Sequence, residues 1–421
     1  MLNKHTEAWV LTMALVLLTG CAGTDGSHTV DAEPRDDPAT PPPQVSTPLP
    51  YPLQGEAVWT SPFSSEPKAA GSSFVGLIQP REGGNVHFLG VDRTGRTRWS
   101  TERDPDCTGF AVTRIPDDEI EAVVLLNKER DPDQGFLATQ TSAAAYDPDS
   151  GQLVWGPIEV PGTLVGPGLV FAAIQGSVMS DQTGPKVVLD AGTGQVVADE
   201  HHGDTVLHEH HGMSLIHRDG ALRALGPEGE KQWNHTDLVV PPQAGTDDVR
   251  VGYGPRPASD SAAAVVLEWT INPSEGADSD EATEPVLYTV HDLRTGERVL
   301  TLGPGREPYT LGDNHGRTVV LADPVSGGEP HLYALGPTES ALAWERSTEP
   351  DERLRDLVGG ILYTTDGEDH WAFQASTGKS GHTGAADTSD LIPAAVLDGG
   401  PAVLAVPTAN DNQVFAALPV Q

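Results

Sequence analysis

Lysine is scarce in this chain. Six of its 421 residues are Lys, against nineteen Arg and sixty-one Asp or Glu, and the formal net charge is −36. Phosphate affinity comes from clustered Lys and Arg, so this balance excludes a nucleic-acid partner. It also sets the body of the protein against anionic lipid headgroups. Cysteine is scarcer still. Cys21 and Cys107 are the only two, so no framework of intrachain disulfides is available. Long apolar runs are absent but for Ala8–Leu18, and its eleven residues fall short of the ~20 that span a bilayer as a helix. Also missing are a Gly-x-Ser-x-Gly elbow, a phosphate-binding glycine loop and a His-Glu-x-x-His helix motif. The sequence thus carries no signature of a serine hydrolase, a P-loop NTPase or a zinc protease, and no enzymatic activity is expected.

The short apolar run reads as a processing signal. Lys4 precedes it, and it ends in Leu18-Thr19-Gly20-Cys21. That ending resembles the bacterial lipobox, in which the Cys is acylated and becomes the mature N-terminus. Residues 1–20 are expected to be a signal peptide, with Cys21 the lipidated residue anchoring the protein to the outer face of the cell membrane. Residues 21–54 carry eight prolines among Asp, Thr and Ser. Such a stretch buries too little apolar surface to offset its ordering entropy and reads as a disordered tether. The bias to Arg, Ala, Gly, Pro and Asp suggests a high-GC bacterial genome, and the acidic body on a long tether resembles an actinobacterial surface lipoprotein.

What the chain does have is a repeat. Copies fall at residues 88–99, 144–155, 187–198, 222–233, 288–300, 332–344 and 371–382. Each is a β-favouring run, a turn and a second strand. The turn glycines are Gly95, Gly151, Gly194, Gly229, Gly296 and Gly378. Asp at the turn start bonds the local backbone, and Gly accepts φ > 0. Trp99, Trp155 and Trp233 stand four residues after a turn Gly, and Trp344 takes the matching place after a turn without Gly. Trp is bulky enough to wedge between neighbouring sheets. A row of aromatic ligand platforms is the other reading. Each copy has a further strand-like run upstream, such as Ser73–Ile78, Met213–His217 and Val358–Thr364. The chain stops after Pro401–Val406 and Val414–Leu418, before a final turn and strand. The missing pieces stand at the other end as Gly55 to Trp59, again four residues apart. A unit that cannot bury its own apolar face must stack on its neighbours. The expectation is an all-β fold: an eight-bladed β-propeller of four-stranded antiparallel blades over residues 55–421, its ring closed by strands from both ends.

The consensus, about hhYAhDxxTGxxhW, resembles the repeat of the pyrroloquinoline-quinone-like propellers. That group includes quinoprotein alcohol dehydrogenases and the outer-membrane assembly lipoprotein BamB. Ala145 through Trp155 is the best copy and Ala372 through His382 the poorest. No Trp-Asp dipeptide occurs, which sets the repeat apart from WD40, and Gly83-Gly84 and Gly359-Gly360 give kelch little support. The quinoprotein branch implies adjacent cysteines beside the cofactor and acidic calcium ligands. This chain has no Cys-Cys pair, so no cofactor is expected. The resemblance implies a binding or scaffolding propeller, with a protein or small-molecule ligand at the channel mouth or on one face. An envelope assembly factor and a metal- or quinone-dependent enzyme are the alternatives.

Two clusters remain. His201, His202, His208, His210, His211 and His217 lie within seventeen residues, beside Asp199, Glu200 and Glu209. They read as a polar loop between blades with solvated histidines; imidazoles so placed are also candidate zinc, copper or nickel ligands. Glu275, Asp278, Asp280, Glu281 and Glu284 form an acidic insertion without EF-hand spacing, read as a solvated loop.

Overall fold

The turn chemistry of the repeat decides where each sheet doubles back. In the copy at 144–155, Asp147 Oδ1 accepts from the backbone N–H groups of Asp149 (3.1 Å) and Ser150 (2.7 Å), and Gly151 closes the turn at φ +70°. Asp190 and Asp292 accept from the same two positions in their own turns, and Asp92 accepts from the N–H groups of Thr94 and Arg96. Where the copy at 332–344 lacks the glycine, Ser340 takes the left-handed conformation instead (φ +44°). Asp219 and Gly220, both at positive φ, make the two-residue hairpin that their sequence announces.

A computed structural model describes residues 29–34 and 49–420, except 62, 80–83, 116–119, 131–138, 167, 175–182, 245–248, 256, 258–261, 272–285, 325–327, 338–339, 350, 386–391 and 408–412. The described strands form eight four-stranded antiparallel sheets, seven of them meanders of neighbours in sequence. They are the blades of a propeller. The first strands of blades 1 to 8 are Lys68–Ala70, Phe110–Ile115, Thr163–Leu164, Thr205–His210, Val249–Tyr253, Tyr309–Gly312, Arg353–Val358 and Pro393–Val396. The fourth strands are Thr97–Arg103, Leu153–Val160, Val196–Asp199, Lys231–Asn234, Arg298–Pro304, Leu342–Ser347, Ser380–Ala385 and Trp59–Ser61. Helix among the described residues amounts to three-residue 3₁₀ turns.

Blade 8 joins the two ends of the chain. Trp59–Ser61 pairs with Gln413–Leu418, Trp59 opposite Ala417. The closing strand starts later than the sequence spacing places it. Residues 54–58 are held by separate bonds, from Gln54 N to Pro419 O and from Val58 N to Ala417 O, and Gly55 turns at φ +76°. The regular ladder begins only at Trp59.

Among the described residues the apolar interior is a ring of separate cores, seven of them each lying in the seam between two neighbouring blades. Val75, Phe88 and Trp99 of blade 1 pack on Val123 and Tyr146 of blade 2. Ala122, Ala145 and Trp155 of blade 2 meet Leu169, Phe171 and Leu189 of blade 3. Phe415 and Ala417 of blade 8 meet Phe74 and Val91 of blade 1. Cys107 is buried in the second of these cores, and burial pushes its thiol up to about 11.

The signal segment, Cys21 and the acidic insertion lie outside the described residues. Two pieces of the expected tether do not behave as one. Asp31 exchanges backbone hydrogen bonds of 2.8 Å with Ser100, and Val30 packs on the seam between blades 1 and 2. Leu49 and Leu53 join the core of blade 8, and the Tyr51 ring lies over Gly381. Tyr363 donates to the Tyr51 carbonyl at 2.9 Å. The proline content hides these few apolar residues, which have surface to bury and find it on the propeller.

Candidate functional site

At the rim the repeat residues form one recurring joint. The indole N–H of Trp59 donates to Arg93 O (3.0 Å), Trp99 to Pro148 O (2.7 Å) and Trp155 to Ala191 O (2.8 Å). Trp233 donates to Leu293 O and Trp344 to Ala375 O, both at 2.8 Å. Every donor is on a fourth strand, and every acceptor follows the first residue of the motif turn in the next blade. The turn glycine lies beneath the ring. A Cβ on Gly194 would stand 2.5 Å from Trp155, and one on Gly151 2.8 Å from Trp99. Gly95, Gly296 and Gly378 sit likewise against Trp59, Trp233 and Trp344. These glycines therefore answer two demands, a positive φ and a ring overhead. Gly229 meets only Val197 at 3.6 Å, and Gly55 only Pro419 at 3.9 Å. Buried (Trp99, Trp155, Trp233) or half-buried (Trp59, Trp344) between blades and turned to a backbone carbonyl, the tryptophans hold seams together.

The axis is built differently. In a four-stranded meander, the turns joining strands 1 to 2 and 3 to 4 share one face of the ring. In blade 4 the first of these turns is His210-His211-Gly212. His211 adopts φ +48°, in the left-handed region. Its Nδ1 accepts from the backbone N–H of Arg114 in blade 2 (2.9 Å), and its Nε2 donates to the Asn314 carbonyl in blade 6 (2.9 Å). Three blades thus meet at one imidazole. The geometry demands the neutral ring, and burial holds the His211 pKa down to about 4, with Arg114 and His315 adding repulsion. The His210 ring stands 4.0 Å away.

Glu209 secures the same turn. Its carboxyl is fully buried and accepts from the N–H groups of Leu169 in blade 3 and of Gly212 (2.7 Å). Burial pushes its pKa up to about 7, against the lowering effect of these two bonds. A Cβ on Gly168 would collide with this carboxyl.

Residues 208–211 are therefore not a solvated loop. His208 is buried on a first strand and donates through Nε2 to Ala262 O at 2.7 Å. His201 and His202 sit apart on an exposed turn, where Asp199 caps the backbone and pairs with both rings. The structure does not converge the five histidines, and no group of three His, Cys, Asp or Glu with metal-holding geometry occurs among the described residues.

Beside the His211 contact lies a cavity of 460 Å³. Blades 1, 6, 7 and 8 enclose it with their first strands. Glu66 and Lys68, Tyr309, Asn314 and His315, and Arg355 and Asp356 supply its polar groups. A second cavity of 280 Å³ adjoins it, sharing Ala69, His315 and Val396 and reaching Arg114, Glu121 and Asp398. Some of these charges are tied to neighbours: Asp313 to Arg317 at 3.0 Å, and Glu121 to the Gly71 N–H at 2.5 Å. Both signs of charge face the axis, whereas the chain as a whole is strongly acidic. None of these cavity residues stands out in the repeat. The one visible signal is the pair of charges in Arg353-Leu354-Arg355-Asp356, on a strand that should be buried.

No family model matches the chain, and no curated protein matches it significantly. Among solved structures it is similar to BamB from Moraxella catarrhalis, with 13% identity, 90% of this chain and 100% of that one covered, and a TM-score of 0.35. It is also similar to the β-propeller domain of the Trilobed protease from Pyrococcus furiosus (11% identity, 84% and 95% covered, TM-score 0.36). A third is quinohemoprotein alcohol dehydrogenase from Comamonas testosteroni (12% identity, 86% and 76% covered, TM-score 0.30). At such values the reading of function rests on the chain's own geometry.

Proposed function

We propose that this protein is a lipid-anchored, extracytoplasmic binding propeller that holds a ligand on its axis without transforming it. One observation carries the reading: the 460 Å³ cavity formed by the first strands of four blades. Pre-formed concave sites with a few convergent polar groups on rigid elements are where proteins bind small ligands. The lining offers charges of both signs and an aromatic ring, which suits holding a polar molecule. Support for the anchor is the Leu18–Cys21 sequence. The expected tether would keep a body of −36 charge off an anionic membrane surface.

Two measurements test this. Mass spectrometry of the native N-terminus is expected to find acyl chains on Cys21, and an unmodified Cys21 overturns the anchor. Hydrogen exchange with bound ligand is expected to protect the first strands of blades 1, 6, 7 and 8. Protection confined to the outer strands overturns the axial site, and conversion of the bound compound overturns the non-catalytic reading.

A further inference from the structure

We infer that the axial cavity takes the end of an uncharged, linear saccharide chain, read by side chains and not by backbone pairing. This rests on the proposal that the cavity is the binding site, and adds the class of ligand.

The first observation is shape. At ~3.3 Å per residue, the wall from Tyr309 to Asn314 runs roughly 15 Å, so a 460 Å³ volume is a slot about 30 Å² in section. That admits one chain and not a folded domain. Asn314 and His315 lie at the end where His211 ties the blades together. Glu66 and Tyr309 lie at the other, where the first strands begin, so the ligand enters from that face.

The second is how the walls present their groups. In blade 7, Leu354 pairs with Thr364 and Asp356 with Tyr363, which leaves Arg355 as the extra residue of a β-bulge. Bulges re-aim side chains, and here Arg355 and Asp356, successive residues, both line the slot. Blade 8 repeats the device at Ala394, between Pro393 and Ala395. Bulges in two walls, with Pro67 and Pro393 withholding N–H donors, make these inner edges poor templates for an added peptide strand.

The third is the chemistry of the lining. Tyr309 is 44% exposed although it stands on an innermost strand. An aromatic face there, with the apolar wall of Ala394, Ala395 and Val396, suits the C–H faces of pyranose rings. Arg355, Asp356, Asn314 and Glu66 suit the hydroxyl groups at their edges. Glu66 and Asp356 balance Lys68 and Arg355, and the remaining acid, Asp313, is paired with Arg317, so the slot favours neither a cation nor an anion, and an acidic exterior repels polyanions.

Titration calorimetry on the full chain tests this, with cellotetraose, xylotetraose and N-acetylchitotetraose as probes. Tetra-alanine and tetragalacturonate serve as the peptide and polyanion comparisons. At least one neutral tetrasaccharide is expected to bind, with an affinity changing less than twofold between 50 and 500 mM salt. Tyr309→Ala and Arg355→Ala should each weaken it at least tenfold at an unchanged melting temperature, and Tyr309→Phe should retain it. Binding that survives both alanine substitutions overturns the proposal, as does the failure of all three saccharides. If tetra-alanine or tetragalacturonate binds instead and Arg355→Ala abolishes it, the saccharide class is wrong and the axial site stands. If no probe of any class binds, the axial site falls too.

Discussion

The rim and the axis of this ring are made by different rules. At the rim five seams carry the same joint: a Trp from one blade, a turn carbonyl of the next, and a residue at positive φ to close that turn. At the axis each first strand differs from the others. One is two residues long, three carry a bulge, one ends in a buried Glu-His, and four enclose a cavity. Repetition builds the frame, and departures from it build the place where a ligand fits. Breaking the frame should therefore cost stability everywhere, whereas changing the axis should alter binding and pH response on a ring that remains closed.

The largest effect is expected from removing residues 414–421. This deletes the third strand of blade 8 and leaves Trp59–Ser61 with nothing to pair with. The sheets on either side gain open edges. Loss of cooperative unfolding, read by urea denaturation with fluorescence and circular dichroism, is the expected outcome. A two-state transition at the original midpoint would show that closure contributes nothing.

Next comes a single joint. Trp99 is fully buried, so Trp99→Ala should cost about 3–5 kcal/mol. Trp99→Phe keeps much of the apolar area and loses the bond to Pro148, which should cost about 1 kcal/mol beyond any packing change. Equal losses for the two variants would mean that the bond, and not the wedge, holds the seam.

The axis should show itself in pH dependence. His211 at the axis, and His291 away from it on the third strand of blade 5, have folded pKa values of about 4 against 6.5 unfolded, both lowered chiefly by burial. Their contribution is complete above pH 6.5 and is lost as pH falls through 4. Glu209 is the opposite case, about 7 folded against 4.5 unfolded. Its contribution is complete below pH 4.5 and is lost as pH rises through 7. Melting temperatures across this range should show a flatter acid limb in His211→Gln and a flatter neutral limb in Glu209→Gln. Unchanged limbs would place both groups outside the titrating set.

The smallest effect should come from starting the chain at residue 49. That removes the Asp31–Ser100 bonds and the Val30 contact, worth about 1–2 kcal/mol together. Starting it at residue 55 also removes Leu49, Tyr51 and Leu53 and should cost more. A chain that loses nothing in either case would restore the whole segment to the role of tether.

The rim was legible because its chemistry is local. Asp147, Gly151 and Trp155 declare a turn and a wedge within nine residues, and the same spacing recurs around the ring. Even the ring's closure could be read, since the turn and strand missing after Leu418 stand at Gly55 to Trp59. The axis was illegible because its relations are long-range. The polar run of residues 208–211 reads as a solvated loop until one knows that Glu209 is met by Leu169, forty residues earlier, and His211 by Asn314, about a hundred later. The bulge at Arg355 exists only in its register with residues 363 and 364. Tyr51 and Leu53 were concealed by the prolines around them, whose number says tether while two side chains say dock.

The pairing of Trp59 with Ala417 has a consequence in time. The two residues are separated by 358 positions, counted from their numbers. At ~5–20 residues per second of synthesis, the first strand waits between about 20 and 70 seconds for its partner. Blades accumulate through that interval in an open arc with an unsatisfied edge at each end, until seven stand waiting for the eighth. Pairing so distant in sequence is slow to find and prone to errors with other chains. The newborn protein's most vulnerable moment therefore falls just before the strand Gln413–Leu418 appears, and substitutions in that strand should reveal themselves first as poor yield, before any change in the finished ring.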